Sequence, residues 1–267
     1  MPIVTKLGLR GLGLCGVALV CGSCAKFPSG GGFGNFTSIT FSFRVRGSIR
    51  TPTDVDPTYY IYDVAIAASP DPNPLPKSAP IPTVDSSNPN GRMNGSPTHF
   101  VEFNSQDPLS PQPFTLYRFA LNSEIRDTYD AGNPTNLAFY TRSQRGFITN
   151  YTIPQNGGDP AVLTFTITAN LLADTDAEAR LLRSLQVNIL TMTQPSNFTG
   201  ARRVIDGLGD SSTLQGLVNF AQIDLLKAGT TNNTITMLEP AEEDTYGGTE
   251  PDVDIIDYSI TVSPVAG

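Results

Sequence analysis

The chain has 267 residues and a formal net charge of −8, with 25 acidic against 17 basic residues. Phosphate binding needs a basic face, so this balance argues against nucleic acid as a partner. All three cysteines lie within the first 24 residues, which leaves the rest of the chain with one histidine and no thiol. Zinc, haem and iron–sulfur sites need clusters of such ligands, so the sequence argues against them.

Residues 1–24 have the pattern of an export signal. Lys6 and Arg10 give a basic start, and small residues stand near the end of the segment. The apolar run 11–20 is about half as long as the roughly 20 residues that a membrane-spanning helix needs. We therefore expect this segment to be cleaved rather than kept as an anchor.

The end of this segment carries a further pattern. Gly22 and Ser23 are small residues directly before Cys24. The segment resembles the signal of bacterial lipoproteins, although Cys21 stands where that family prefers Leu. The resemblance implies a lipidated Cys24 and a place in the cell envelope. Because Ala25 rather than Asp follows the cysteine, it favours the outer membrane. The alternative is an ordinary secretory signal that is cut nearby.

The sequence predicts three parts. They are a signal peptide (1–23), a lipidated cysteine with a glycine-rich tether (24–35), and a single β-sandwich domain (36–264).

The domain begins with two strand patterns. Phe36–Ile49 and Thr58–Ala68 alternate between apolar and polar residues, the period of a half-buried strand. The proline-rich stretch Ser69–Pro97 has no periodicity and predicts a long loop, of the kind that is usually functional or mobile.

The remaining pattern is also mostly β. A helix is expected at Asp174–Gln186, where Thr175 and Glu178 match a capping box. Leu214–Leu226 is ambiguous, because its apolar residues suit a helix while Gly216 does not. The fold class is therefore an antiparallel β-sandwich with one or two short helices. Further strands are expected at Thr98–Asn104, Phe114–Asn122, Leu137–Arg142, Gly146–Ile153, Val162–Leu171, Val187–Thr193, Asn233–Leu238 and Asp254–Val262.

His99 is the only histidine and would have to serve any Ser-His-Asp arrangement. It lies within a strand pattern, and the chain has no Gly-x-Ser-x-Gly motif to supply a nucleophile. We interpret it as a hydrogen-bonded strand histidine, at the sheet surface or beside the proline-rich loop.

An acidic stretch offers oxygen ligands for calcium. Eight carboxylates and no Lys or Arg lie between Glu239 and Asp257. The alternative is a solvated acidic loop that keeps the protein soluble. The candidate calcium ligands are Glu243, Asp244, Asp252 and Asp254. Two lesser candidates are Asp206 with Asp210, and Asp54 with Asp56.

The domain resembles, in layout alone, β-sandwich modules of the DOMON type that bind sugars or haem. The shared layout is a Tyr-Tyr-Ile-Tyr strand, a proline-rich loop, a strand–helix–strand unit and an acidic approach to the last strand. The resemblance adds slight support for sugar binding. From the lipoprotein signal and the β-sandwich pattern we expect an envelope binding or scaffold module, with the membrane, carbohydrate or other envelope proteins as partners. The alternative is a hydrolase of envelope or extracellular polysaccharide that uses a carboxylate pair.

Overall fold

Two antiparallel sheets pack together in the computed structural model of the chain. In chain order the strands are β1 (Ser38–Val45), β2 (Thr58–Ser69), β3 (Ile81–Pro82), β4 (Met93–Asn94), β5 (His99–Asn104), β6 (Phe114–Arg118), β7 (Ser143–Phe147), β8 (Tyr151–Thr152), β9 (Val162–Thr168), β10 (Ser184–Pro195), β11 (Arg203–Gly207), β12 (Ala221–Asp224), β13 (Gly229–Asn232) and β14 (Ile255–Ser263). The structure describes residues 36–51, 58–82, 93–95, 97–104, 113–118, 143–195, 203–211, 219–232, 239, 245 and 250–264, all within one compact unit, 32–267.

The first sheet has the strand order β13-β14-β1-β9-β8. The second has the order β11-β10-β2-β5-β6-β7, with β12 also pairing with β10, and β3 and β4 form a separate small ribbon. The predicted class, a mostly β antiparallel sandwich, is confirmed.

Aromatic side chains fill the space between the two sheets. The Phe165 ring, from the first sheet, lies with its centroid 4.9 Å from that of Phe114, from the second. Phe41 stacks on Phe165 at 5.2 Å within the first sheet, and Tyr62 packs at 5.8 Å from Phe103 within the second. All five rings are buried, and burial of such side chains is the main favourable term in folding.

The strand predictions hold where alternation is regular. Thr58–Ala68 becomes β2, one residue longer, and Asp254–Val262 becomes β14. The prediction Gly146–Ile153 was wrong in its bounds, because the chain there splits into β7 and β8. Leu137–Arg142 and Asn233–Leu238 lie outside the described residues.

The helix prediction Asp174–Gln186 was too long. The α-helix α1 spans Asp176–Ala179, and the predicted capping box of Thr175 and Glu178 is present. The helix ends at Ala179, and the chain enters β10 at Ser184, where twelve residues pair with β2. The ambiguous segment 214–226 ends in strand β12, again paired with β10.

Short turns complete the described part. The 3-10 turns are Pro76–Ser78, Pro154–Asn156, Ala169–Leu172 and Pro251–Val253. No helix among the described residues has the length and apolar character needed to cross a bilayer.

Candidate functional site

The acidic turn, the 3-10 turn Pro251–Val253 with Asp254, lies directly before β14 and against the segment that follows β1. The backbone N–H groups of Arg46 and Gly47 donate to carbonyl oxygens of the turn at 2.8 and 2.7 Å. A Cβ at Gly47 would stand 2.9 Å from the Pro251 carbonyl carbon, so a larger residue would force the backbone of the turn to move. Two of the four candidate calcium ligands, Asp252 and Asp254, are thus in one turn.

Both of these aspartates face arginines. Arg50 Nε lies 2.6 Å from Asp252 Oδ2, and the Ser48 N–H donates to Asp252 Oδ1 at 2.8 Å. Asp254 is fully buried and forms an ion pair with Arg46. Because each charge is offset by a cation from the same chain, a calcium ion at this turn would compete with the two guanidinium groups.

Hydrogen bonds also join the acidic turn to the second sheet. Tyr62 Oη donates to the Asp252 carbonyl at 2.9 Å and accepts from the Arg50 N–H at 3.1 Å. Asp206 Oδ2 accepts the Ile255 N–H at 2.5 Å, and Thr191 donates to the Val253 carbonyl. These bonds join β2, β10 and β11 to the start of β14, so the turn connects the two sheets.

Tyr62 makes this connection dependent on pH. Burial raises the pKa of its phenol above the ordinary value of 10.0. Since the folded-state pKa exceeds the unfolded one, the stabilisation is complete below about pH 10 and is lost as the pH rises further. We expect the free energy of unfolding to fall between about pH 8 and about pH 11, by up to about 1.4 kcal/mol per pH unit above 10 for each such tyrosine.

Urea unfolding at the two pH values measures this loss. Tyr62→Phe removes one titrating group and should show a smaller alkaline loss than the wild type. Burial, with Glu239 and Asp257 nearby, also raises the pKa of Tyr258 to about 12, so Tyr258 adds to the alkaline loss in both proteins. An equal loss in the variant and the wild type would contradict the assignment to Tyr62.

The two lesser calcium candidates in this region, Asp206 and Asp210, differ in burial. Asp206 is fully buried, and its Oδ1 accepts the Gly207 N–H at 2.7 Å, while Asp210 is exposed. Glu239, from the acidic stretch, is buried and accepts the Gly209 N–H at 2.7 Å. These two buried acids therefore accept hydrogen bonds from backbone groups at the end of β11 and in the loop that follows it.

The remaining predicted residues lie outside the described part of the chain. They are Cys24, Asp54, Asp56, Glu243 and Asp244. Within the described ranges, no group of three or more His, Cys, Asp or Glu side chains could hold a metal ion. The calcium site stays a prediction.

His99 begins β5 and is buried, with 2% of its surface exposed. Its Nδ1 lies 3.0 Å from Thr98 Oγ1. The residue is thus a hydrogen-bonded strand histidine, as predicted, although it is buried rather than at the sheet surface.

A pair of buried carboxylates that the sequence analysis missed lies on the outer face of the second sheet, the face turned away from the first sheet. Asp63 on β2 is directly opposite Glu102 on β5, and the two are 0% and 3% exposed. Directly paired side chains have Cβ atoms about 4.5–5.5 Å apart. The sequence of β2 could have indicated this pair. Ile61 and Ala65 flank Asp63 on the face that was expected to be polar, and apolar residues on both faces of a strand indicate that both faces are buried.

A strap, residues 71–80 of the predicted loop, lies on the same outer face. Three alternate side chains of β10 donate to its carbonyl oxygens: Ser184 to Asp71 at 2.6 Å, Gln186 to Pro74 and Leu75 at 3.3 and 3.2 Å, and Asn188 to Pro80 at 3.2 Å. Prolines lack an N–H, so a proline-rich segment presents mainly acceptors. The row of side-chain donors on β10 pairs with these acceptors. This part of the loop is therefore hydrogen-bonded to the sheet along its length.

The domain therefore combines a charged turn between its sheets with a covered, partly polar outer face. No protein-family model matches the sequence, and comparisons with curated proteins and with solved structures gave no match.

Proposed function

We propose that this protein is a membrane-anchored extracytoplasmic lipoprotein whose β-sandwich is a binding or scaffold module of the cell envelope. The observation that carries the proposal is the order of parts in the sequence. A short apolar run ends in Gly22, Ser23 and Cys24, a glycine-rich segment follows, and β1 starts at Ser38. A lipid on Cys24 would hold the domain at the surface of a membrane, with the outer membrane favoured.

The contacts of the carboxylates at and beside the acidic turn support a module without catalysis. Asp252 and Asp254 are paired with arginines, and Asp206 accepts backbone N–H groups. Carboxylates used in this way stabilise the connection between the sheets. Carbohydrate or other envelope proteins remain the proposed partner classes, and calcium the proposed ion.

The second candidate is the hydrolase of envelope polysaccharide. The pair Asp63 and Glu102 favours it, because directly opposed strand positions suit the separation of about 5–5.5 Å used by retaining glycosidases. Both side chains are buried, however, and a substrate would first have to reach them. Such an enzyme would release reducing ends from envelope glycans and lose that activity in Asp63→Asn.

The anchor is tested by expressing the full chain with a tag after residue 267 in a bacterium that processes lipoproteins. We expect the wild type to incorporate radiolabelled palmitate and to sediment with membranes. Cys24→Ser should lose both properties, because the thiol is the site of attachment. The control, Cys21→Leu, brings the signal closer to the family pattern and should keep both. Unchanged labelling in Cys24→Ser, or loss of labelling in Cys21→Leu, would contradict the proposal.

A further inference from the structure

The described part of the chain starts at one end of the sandwich, which we call the tether end. Arg180 lies over the ring of Phe36, the first described residue, at 5.0 Å. The Ala169 N–H donates to the Thr37 carbonyl at 2.9 Å. The tether therefore joins the domain beside the turn that follows β9 and beside the end of α1.

The large apolar side chains that are exposed in the described part are three leucines. Leu75, Leu181 and Leu226 are 60%, 57% and 60% exposed. A single exposed leucine is ordinary on a protein surface, whereas several at one location mark a contact surface.

Hydrogen bonds place these leucines around the start of β10. Leu181 stands two residues before Arg183, whose carbonyl accepts the Leu225 N–H at 2.9 Å, and Leu226 follows directly. The Leu75 carbonyl accepts from Gln186 near the start of the same strand. Since Arg180 contacts Phe36, Leu181 is also next to the point where the tether enters.

The tether is short enough to keep this end close to the bilayer. From Cys24 to Phe36 a chain of this length reaches at most about 40 Å when fully extended, and glycine-rich chains of this length average about 20 Å end to end. We propose that the tether end touches the membrane and that Leu181 and Leu226 enter its headgroup region, with Leu75 at the edge of the contact. This inference rests on the proposed anchor at Cys24.

The charged residues at the tether end include both signs, which bears on whether anionic lipids attract this end of the domain. Arg180 and Lys227 stand near Glu178 and Asp224, and Lys227 Nζ pairs with Asp224 at 3.1 Å. Mixed signs, together with the chain's negative net charge, give little attraction to anionic lipids. The contact is apolar, so it should not depend on the anionic lipid content or on salt.

The test uses the full, lipidated chain with Leu226→Cys. Once Cys24 carries its lipid and the signal has been removed, this is the single reactive thiol, and it can be labelled with an environment-sensitive fluorophore. The protein is placed in vesicles of phosphatidylethanolamine and phosphatidylglycerol that contain a lipid with a nitroxide in the upper acyl chain. Gln155→Cys is the matched control, because Gln155 is exposed in the turn between β8 and β9 at the opposite end.

We expect about twofold quenching at position 226, because interfacial side chains lie about 5–10 Å into the headgroup–acyl boundary. Position 155 should show almost none, and neither result should change with salt. Equal, weak quenching at both positions in protein that sediments with vesicles would overturn the membrane contact alone, leaving a protein partner for the leucines. Quenching at position 226 that depends on anionic lipid would overturn the apolar mechanism. Failure of the wild type to attach to membranes would overturn the anchor and the inference together.

Discussion

Replacing Arg46 with methionine should lower the free energy of unfolding by about 3–5 kcal/mol. Asp254 is fully buried, and its cation is the Arg46 guanidinium. Without that partner the carboxylate would be a buried charge that water cannot solvate, which is among the most costly defects a protein can carry. Urea unfolding of Arg46→Met against the wild type measures the loss.

Arg44→Met, two residues earlier on β1, is the matched control. Arg44 also pairs with an aspartate, Asp159, at 2.8 Å, but the two side chains are 42% and 45% exposed. The Ala161 N–H and the Arg44 side chain hold the pKa of Asp159 below its usual value. Exposed pairs of this kind contribute about 0–1 kcal/mol, so the control should be nearly as stable as the wild type.

A second substitution separates the lost charge from lost packing. Adding Asp254→Asn to Arg46→Met removes the buried charge and should restore part of the stability. Similar losses in Arg46→Met and Arg44→Met would show that Asp254 is solvated in solution and does not depend on Arg46.

Asn188→Ala should cost about 3 kcal/mol or more, because one side chain satisfies several buried backbone groups. Its Nδ2 donates to the carbonyls of Pro80 and Asn219 at 3.2 and 2.8 Å, and its Oδ1 accepts the Leu208 N–H at 3.1 Å. The alanine variant would release the end of the strap from β10. We therefore expect lower stability in urea and faster tryptic cleavage after Lys77, which lies within the strap.

Ser184→Ala is the control for this prediction. Ser184 lies on the same face of β10 and gives the strap one hydrogen bond, to the Asp71 carbonyl. Its loss should cost about 1 kcal/mol and leave the cleavage rate near that of the wild type. Equal cleavage rates in Asn188→Ala and the wild type would mean that the strap is not held by this side chain.

The strands that the sequence predicted best are those with one clear apolar face. β1 alternates strictly over Ser38–Val45, a shorter range than the predicted Phe36–Ile49, and β14 alternates from Asp257 onward, after an irregularity in its pairing with β1. Inward residues of the two strands, such as Phe41 and Ile260, are buried where the strands pair. The period of two follows from the pleat of the strand alone, so it can be recognised without knowledge of the partners.

Helix bounds were harder to predict, because two local preferences overlap in the chain. The capping box at Thr175 and Glu178 starts a helix as expected. The leucines that follow suit either a helical stripe or the start of a strand. Pairing of β10 with β2, more than a hundred residues earlier in the chain, decides for the strand.

By itself, the sequence determined the β-rich class, the main strand positions and the start of α1, because periodicity and capping are local properties. Only the tertiary structure decided that Asp252 and Asp254 meet Arg50 and Arg46, and that Asp63 faces Glu102. These contacts depend on strand register and on the packing of one sheet against the other, which join residues far apart in the chain. A row of carboxylates in the sequence therefore shows where charge lies, while the fold decides which cation balances it.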